Sequence, residues 1–469
     1  KPVAPPAGTP TQTAQNEQPA EKPAEPLPVA ESSSILPPVP VVTDSADDEV
    51  VIADEELKLV FTRIGGRLKE ANVITNQNTR EVVQLVPTST APDTEAVYPL
   101  GLTFTDPEIG DGLNYRRFEA DMGADGRSVT FSLTLPGKGI IRKYFSLTEH
   151  YHVLNARVDY ENLESQPVLL GMDVTPAYYL TWEPNVASGD EKSGVPQAIS
   201  WYKDGKVSDQ PTAKLPAPGE VQPPEVVASP EWAAIKSSYF VVAVRPEYEG
   251  ANAYIQGSPK NFELALSVPR FEVPAQATQS QDFDLYIGPS EQNALAAAWP
   301  TLGQVRRFFS PSWELMDKFA KLLLGILNWF HNHIYANYGV AIIFLTVLVR
   351  MAIYPLTLKS MKSMKKMQLL GPEMEAIKTQ YAENPQEMNK KMMELYKERG
   401  VNPLGGCMPM LLQMPIFIAL WRMLWSAYEL RGAPFMLWIT DLSQPDRLLH
   451  MPWMASVPFF GHSLIYLNL

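Results

Sequence analysis

The stretch Tyr338–Thr357, YGVAIIFLTVLVRMAIYPLT, constrains this chain most: twenty residues, nearly all apolar, with one charge, Arg350, set inside it. Twenty residues rising about 1.5 Å each match the hydrocarbon thickness of a bilayer, which predicts a transmembrane helix. A cation there is expensive. Insertion scales put the cost of Arg near a span's centre at about 2.5–3.5 kcal/mol, and Arg350 lies roughly 18 Å from the Tyr338 end, beyond easy snorkelling to that side. The pattern therefore predicts polar surroundings for this one side chain.

The chain's 469 residues allow two or three domains, and its mean hydropathy of -0.13 averages two unlike halves. Up to about residue 300 the sequence is polar, acidic and strand-patterned; from about 310 it is apolar, Met-rich and helical. A formal charge of -13 argues against nucleic acid as a partner, since phosphate binding needs a basic face. The single cysteine, Cys407, leaves packing rather than an intramolecular disulfide to hold the fold.

Residues 1–50 carry eleven prolines in the first forty positions and then Asp47, Asp48 and Glu49, a composition that reads as a disordered Pro/Ala/Glu-rich tether. From 51 to 290 the period becomes two. Val129, Phe131, Leu133 and Leu135 alternate with Thr130, Ser132 and Thr134, and Phe262, Leu264, Leu266 and Val268 repeat the pattern, so an all-β sandwich is expected. His150 and His152 stand at a same-face strand spacing, yet no third ligand has convincing spacing, and no metal site is expected. Tyr178, Tyr179, Trp182, Trp201 and Tyr202 fit either a binding groove or core packing.

Residues 291–335 read as a hinge with a short Ala-rich helix, then an amphipathic helix. On that helix Trp313, Met316, Ala320, Leu323, Leu327 and Phe330 form one face, and Glu314, Asp317, Lys318 and Lys321 take the other. It suits the outer membrane interface or packing against the sandwich. The span at 336–357 is followed by nine Lys and Arg residues between 358 and 402, which by the positive-inside rule makes that segment cytoplasmic and the sandwich extracytoplasmic. An anchor or signal upstream of Lys1 is then expected.

Residues 358–402 read as a cytoplasmic helical hairpin, broken at Gly371-Pro372 and turning at Glu383-Asn384-Pro385. Its stripe includes Met361, Met364, Met367, Met388 and Met392; such flexible thioethers serve either a surface for varied apolar partners or packing between the two arms. A second span is expected at 403–428, bent by Pro409 and Pro415, with Gln413 at about the depth of Arg350. Gln413 could share a polar cavity with Arg350 or serve as interhelical glue. Residues 429–469 then form an outer loop and the start of a further membrane segment.

Together, VRMAIYPLT around Arg350, VNPLGGCMPMLLQMPIFIALW from Val401 to Trp421, and ELRGAPFMLWITDLSQPD from Glu429 to Asp446 resemble the YidC/Oxa1/Alb3 family of membrane-protein insertases, in the Gram-negative type with a large periplasmic domain. The resemblance implies a multidomain chain: an all-β periplasmic β-supersandwich, then an α-helical membrane domain with a cytoplasmic hairpin, truncated here to two of five core spans. It implies a bacterial inner-membrane location, no enzyme activity and no cofactor. It also implies Arg350 in a hydrophilic groove open to cytoplasm and lipid, with Gln413 as the glutamine of the LLQMPIF motif. The hairpin would receive nascent membrane proteins, with the ribosome, Sec translocon components and the lipid bilayer as partners. The sequence departs from the family at Arg422, where relatives tend to carry an aromatic residue; Arg422 would snorkel outward or pair with Glu429. A transporter or channel subunit in which Arg350 selects an anion is the competing reading.

Overall fold

The computed structural model describes residues 46–76, 81–86, 98–150, 152–172, 174–183, 186, 197–220, 222–259, 261–309, 311–400, 408–444, 449–450 and 466–467. The first 45 residues of the expected tether therefore lie outside the described residues, as do Leu404–Cys407 at the start of the expected second span.

The two-residue period becomes three larger antiparallel sheets and a two-stranded one, Val168–Leu170 with Phe271–Val273, around one core. The largest runs, in spatial order, Lys206–Pro211, Ala198–Lys203, Trp232–Lys236, Phe240–Pro246, Thr278–Pro289, Val153–Asn162, Gly139–Leu147, Ser128–Leu135 and Glu119–Met122. Facing it are a five-stranded sheet (Glu225–Ala228, Asn252–Ser258, Asn261–Val268, Tyr178–Trp182, Gly101–Phe104) and a four-stranded sheet built from residues 49–84. The register sets Val129 opposite Phe145 and Leu133 opposite Ile141. Phe61 of the small sheet stacks on Phe145 at 4.7 Å, which closes the sandwich. A one-turn helix α1 (Pro107–Gly110), capped by the Asp106 carboxylate accepting from the Glu108 amide, follows the strand Gly101–Phe104. All of these faces contribute to a single apolar core, so the chain from residue 50 to 287 buries one continuous hydrophobic layer.

Tyr178 and Trp182 lie inside that core, and Tyr202 stacks on the buried Trp232 at 5.9 Å; these aromatics pack rather than line a groove. The two histidines separate. His150 is exposed, whereas His152 sits at φ 65° in the turn before its strand, with Nε2 3.0 Å from a Glu56 carboxylate oxygen. The same-face strand spacing fails because the strand begins only at Val153.

The segment expected as a hinge is instead a lid on the outer face of the large sheet. Helix α2 (Gln292–Ala298) and the turn after it bury Leu295, Trp299, Leu302 and Val305 against Trp232, Val241, Ala243 and Tyr286. Trp232 donates its indole N–H to the Thr301 hydroxyl at 3.2 Å. Beyond it come α3 (Glu314–His333), α4 (Tyr338–Leu369), α5 (Gly371–Gln380), α6 (Pro385–Glu398) and α7 (Met408–Trp425). The span expected to end at 357 continues unbroken through Pro355 to Leu369, so about the first quarter of the expected hairpin is an extension of α4. The final segment, expected to start another span, is described only at Tyr466–Leu467, which pairs antiparallel with Leu449–His450.

Candidate functional site

Helix α4 begins at Asn337, whose carboxamide oxygen accepts from the Val340 amide, a side-chain cap that replaces one missing intrahelical bond. Its apolar 18-residue window is long enough to cross a bilayer and only 17% buried, unlike the core helix of a water-soluble protein. Ile343, Phe344, Val347, Leu348, Met351 and Tyr354 are all exposed, a face that only lipid or another apolar partner suits.

The opposite face is occupied. Ala341 and Leu345 of α4 join Ala320, Leu323, Leu324 and Leu327 of α3 and Ala419, Met423 and Ala427 of α7 in one apolar cluster. Helix α3 thus packs on α4 and α7, not on the sandwich alone. A second row on α3, Leu315, Leu322 and Trp329, stays exposed at seven-residue spacing, which gives the helix an additional apolar edge. Asp317, expected on the polar face, is buried: its Oδ1 accepts from the Phe308 and Phe309 amides at 2.6 and 3.2 Å, and Lys321 lies 3.0 Å from Oδ2. It ties the connecting strand to the first turns of α3.

Arg350 is exposed, and among the described residues it makes no hydrogen bond or ion pair. It lines a shallow cavity of about 330 Å³ with Thr346, Val347, Met351 and Tyr354, all from α4 itself. Gln413 is also exposed. Leu345, five residues before Arg350 on α4, and Ala419, six residues after Gln413 on α7, belong to the same apolar cluster.

The methionine stripe divides. Met361 and Met364 are exposed and Met367 half-buried on the extension of α4, whereas Met388 and Met392 are half-buried on α6. Between the hairpin arms, the Tyr396 hydroxyl meets the Met374 sulfur at 3.6 Å, and Arg399 pairs with Glu373 at 2.7 Å.

The far end of the helices is fastened to the sandwich. Arg306 and Glu429, both buried, form a two-pronged ion pair at 2.8 and 2.7 Å. Glu429 is therefore engaged there, and the expected pairing with Arg422 does not form. Arg422 instead donates its Nε–H to the Phe308 carbonyl at 3.0 Å. Tyr428 donates its hydroxyl to the Thr75 carbonyl at 3.1 Å, and Tyr239 to the Trp425 carbonyl at 3.4 Å. The loop after α7 folds over the start of α4, where Asn337 donates to the Phe435 carbonyl at 2.9 Å. A Cβ added at Gly339 would lie 2.1 Å from the Phe435 ring, so only glycine admits this closure. Sequence reading missed Arg306 and Asp317; the only local hint is a carboxylate in the first turns of a helix just downstream of an Arg-Arg pair.

Residues 49–308 match the family model described as the YidC periplasmic domain, and residues 329–466 the model described as 60Kd inner membrane protein. The membrane protein insertase YidC of Syntrophus aciditrophicus is 30% identical, covering 90% of this chain and 76% of that protein. The YidC of Bordetella avium is 31% identical over 88% and 73%, and that of Syntrophobacter fumaroxidans 34% identical over 71% and 58%, so the match spans little more than half of the last relative's length. Among solved structures, an active YidC insertase with its first transmembrane domain resolved covers 86% of this chain at 20% identity and a TM-score of 0.30. A putative aldose 1-epimerase from Escherichia coli covers 51% at 10% identity and a TM-score of 0.34. An all-β periplasmic-type domain followed by membrane-type helices is the class of molecule these elements define. The chain belongs to the YidC family of membrane protein insertases.

Proposed function

We propose that this chain inserts and helps fold membrane proteins without covalent chemistry, using Arg350 as a water-accessible cation partway through the bilayer. The observation that carries the reading is an exposed guanidinium, uncommitted among the described residues, about 18 Å along a lipid-suited helix. A polar or acidic outer segment of a client meets a charge of opposite sign there and keeps part of its hydration, while its apolar helix moves into lipid beside Ile343, Val347 and Met351. Arginine suits the role because it stays charged at any physiological pH and presents five donors. Gln413, at similar depth, adds a neutral hydrogen-bonding group to the same path. Nothing in this scheme is cleaved or oxidised, and it needs no cofactor.

In the same reading α7 is the second span, and the hairpin is cytoplasmic. The exposed Met361 and Met364, with Met367, extend the membrane helix as an apolar landing strip for the nascent chain near the ribosome, and Met388 and Met392 support it from α6. Sec translocon components would hand over clients laterally to the lipid-facing side of α4. The large domain stands in the periplasm of a bacterial inner membrane.

The test replaces Arg350 by Ala and by Lys and follows insertion of a single-span client with an acidic outer tail into vesicles. Because each unpaired charge costs several kcal/mol to dehydrate, Arg350→Ala is expected to slow insertion by about tenfold or more and Arg350→Lys to retain most of the rate. Equal rates for Arg350→Ala and the parent contradict the proposal.

A further inference from the structure

A second polar site lies at the other end of the membrane helices. A cavity of about 230 Å³ opens between the sandwich and the end of α7, and Lys236, Arg306, Arg307, Phe308, Arg422 and Trp425 are among the residues that line it. Its charge is unbalanced. Lys236 pairs with Asp209 at 2.6 Å and Arg306 with Glu429 at 2.7 Å, which accounts for two of four cations. Asp317, behind the wall, is already taken up by two amides and Lys321. Arg307 and Arg422 have only carbonyl partners, Val207 at 3.1 Å and Phe308 at 3.0 Å, so two guanidiniums face the cavity with most of their donors uncommitted among the described residues. Burial pushes the Lys236 ammonium down, and Asp209 opposes that shift.

The surroundings identify the ligand's class. Two arginines in one cleft match the bidentate geometry of a phosphate, and the Ser238 hydroxyl on the lining adds a donor that suits its remaining oxygens, while Ser426 donates its own hydroxyl to the Arg422 carbonyl at 3.0 Å. Trp421 and Trp425 are half exposed beside the opening, and tryptophan at a helix end marks headgroup depth. The volume falls below the roughly 300–1,000 Å³ of pockets that engulf whole small molecules, so it suits a headgroup whose acyl chains remain in the bilayer.

We propose that this cavity binds the phosphate headgroup of one anionic phospholipid from the leaflet on the sandwich side. The bound lipid bridges Arg307, which precedes α3, and Arg422 on α7, and so locks the sandwich to the membrane helices. This role is separate from Arg350, which lies about 18 Å along α4 from its Tyr338 end and does not line this cavity.

The experiment takes the full chain in nanodiscs of equal parts phosphatidylglycerol and phosphatidylcholine and measures, by native mass spectrometry, the lipid retained on the released protein. One phosphatidylglycerol is expected to be retained in preference to phosphatidylcholine. The Arg307→Gln, Arg422→Gln double variant is expected to lose that preference by about tenfold, the equivalent of one charge-assisted contact. Ser238→Trp, which fills the cavity and keeps both guanidiniums, is expected to lose it equally, so that a folding defect from lost charge is told apart from loss of the site. Unchanged retention in both variants overturns the proposal. Displacement of the lipid by millimolar inorganic phosphate assigns the site to a free anion instead, and displacement by a poly-glutamate peptide assigns it to a carboxylate partner; either result overturns the lipid reading.

Discussion

Two cations in this molecule show how differently its halves treat charge. Lys143 lies wholly inside the sandwich, where its ammonium donates to the Gly65 and Leu100 carbonyls at 3.0 and 2.5 Å and burial pushes its pKa well below the usual lysine range. Arg350 stands on an exposed membrane helix with no partner among the described residues. The sandwich holds its lysine by two carbonyls and can neutralise it, since a buried lysine gives up its proton more readily. Helix α4 carries one that stays charged and that no described group satisfies, which is the contrast on which the proposed role of Arg350 rests.

Between these extremes sits Arg306, and its removal should have the largest effect. Arg306→Ala leaves the Glu429 carboxylate buried at 8% exposure without its partner, a loss of about 3–5 kcal/mol. It should read as a markedly lower unfolding midpoint and faster proteolysis between the sandwich and α3. Next is the same replacement made in both regions. Lys143→Met orphans two buried carbonyls and should cost about 1–3 kcal/mol in denaturant unfolding, while Arg350→Met should stay within about 0.5 kcal/mol. Equal destabilisation at both positions would break the comparison.

The pH dependence should differ too. Lys143 has a folded pKa depressed below its unfolded value of 10.5, so the unfolded chain binds the proton more tightly and stability rises with pH in the interval below 10.5. The parent minus Lys143→Met difference should show that upward slope, and the parent minus Arg350→Met difference should be flat. Among the changes expected to destabilise, Asp317→Asn comes last. It keeps an acceptor for the Phe308 and Phe309 amides but loses the charge facing Lys321, so about 1 kcal/mol is expected on unfolding.

Local pattern made much of this readable from sequence. Alternation from Val129 to Leu135 exposes a strand because one face is buried, and an arginine inside twenty apolar residues stands out wherever the chain is met. What was hidden is long-range. Arg306 and Glu429 are 123 residues apart, and nothing near either marks the other. Asp317 looked like a surface residue because helical periodicity places it beside Glu314 and Lys321, and the Phe308–Phe309 segment ahead of α3 folds over it. The extension of α4 past Thr357 went unseen for a different reason: Lys359 and the lysines after it end the apolar run that marks the span, while the helix itself continues to Leu369.

Water at position 350 is the point on which the account turns. With Cys407 replaced by Ser, Arg350→Cys provides a single thiol that can be titrated with a charged, membrane-impermeant sulfonate reagent from either side of the membrane. The account predicts modification in inverted vesicles, from the cytoplasmic side, and none in right-side-out vesicles. A thiol that stays unreactive from both sides would place position 350 among acyl chains and contradict it.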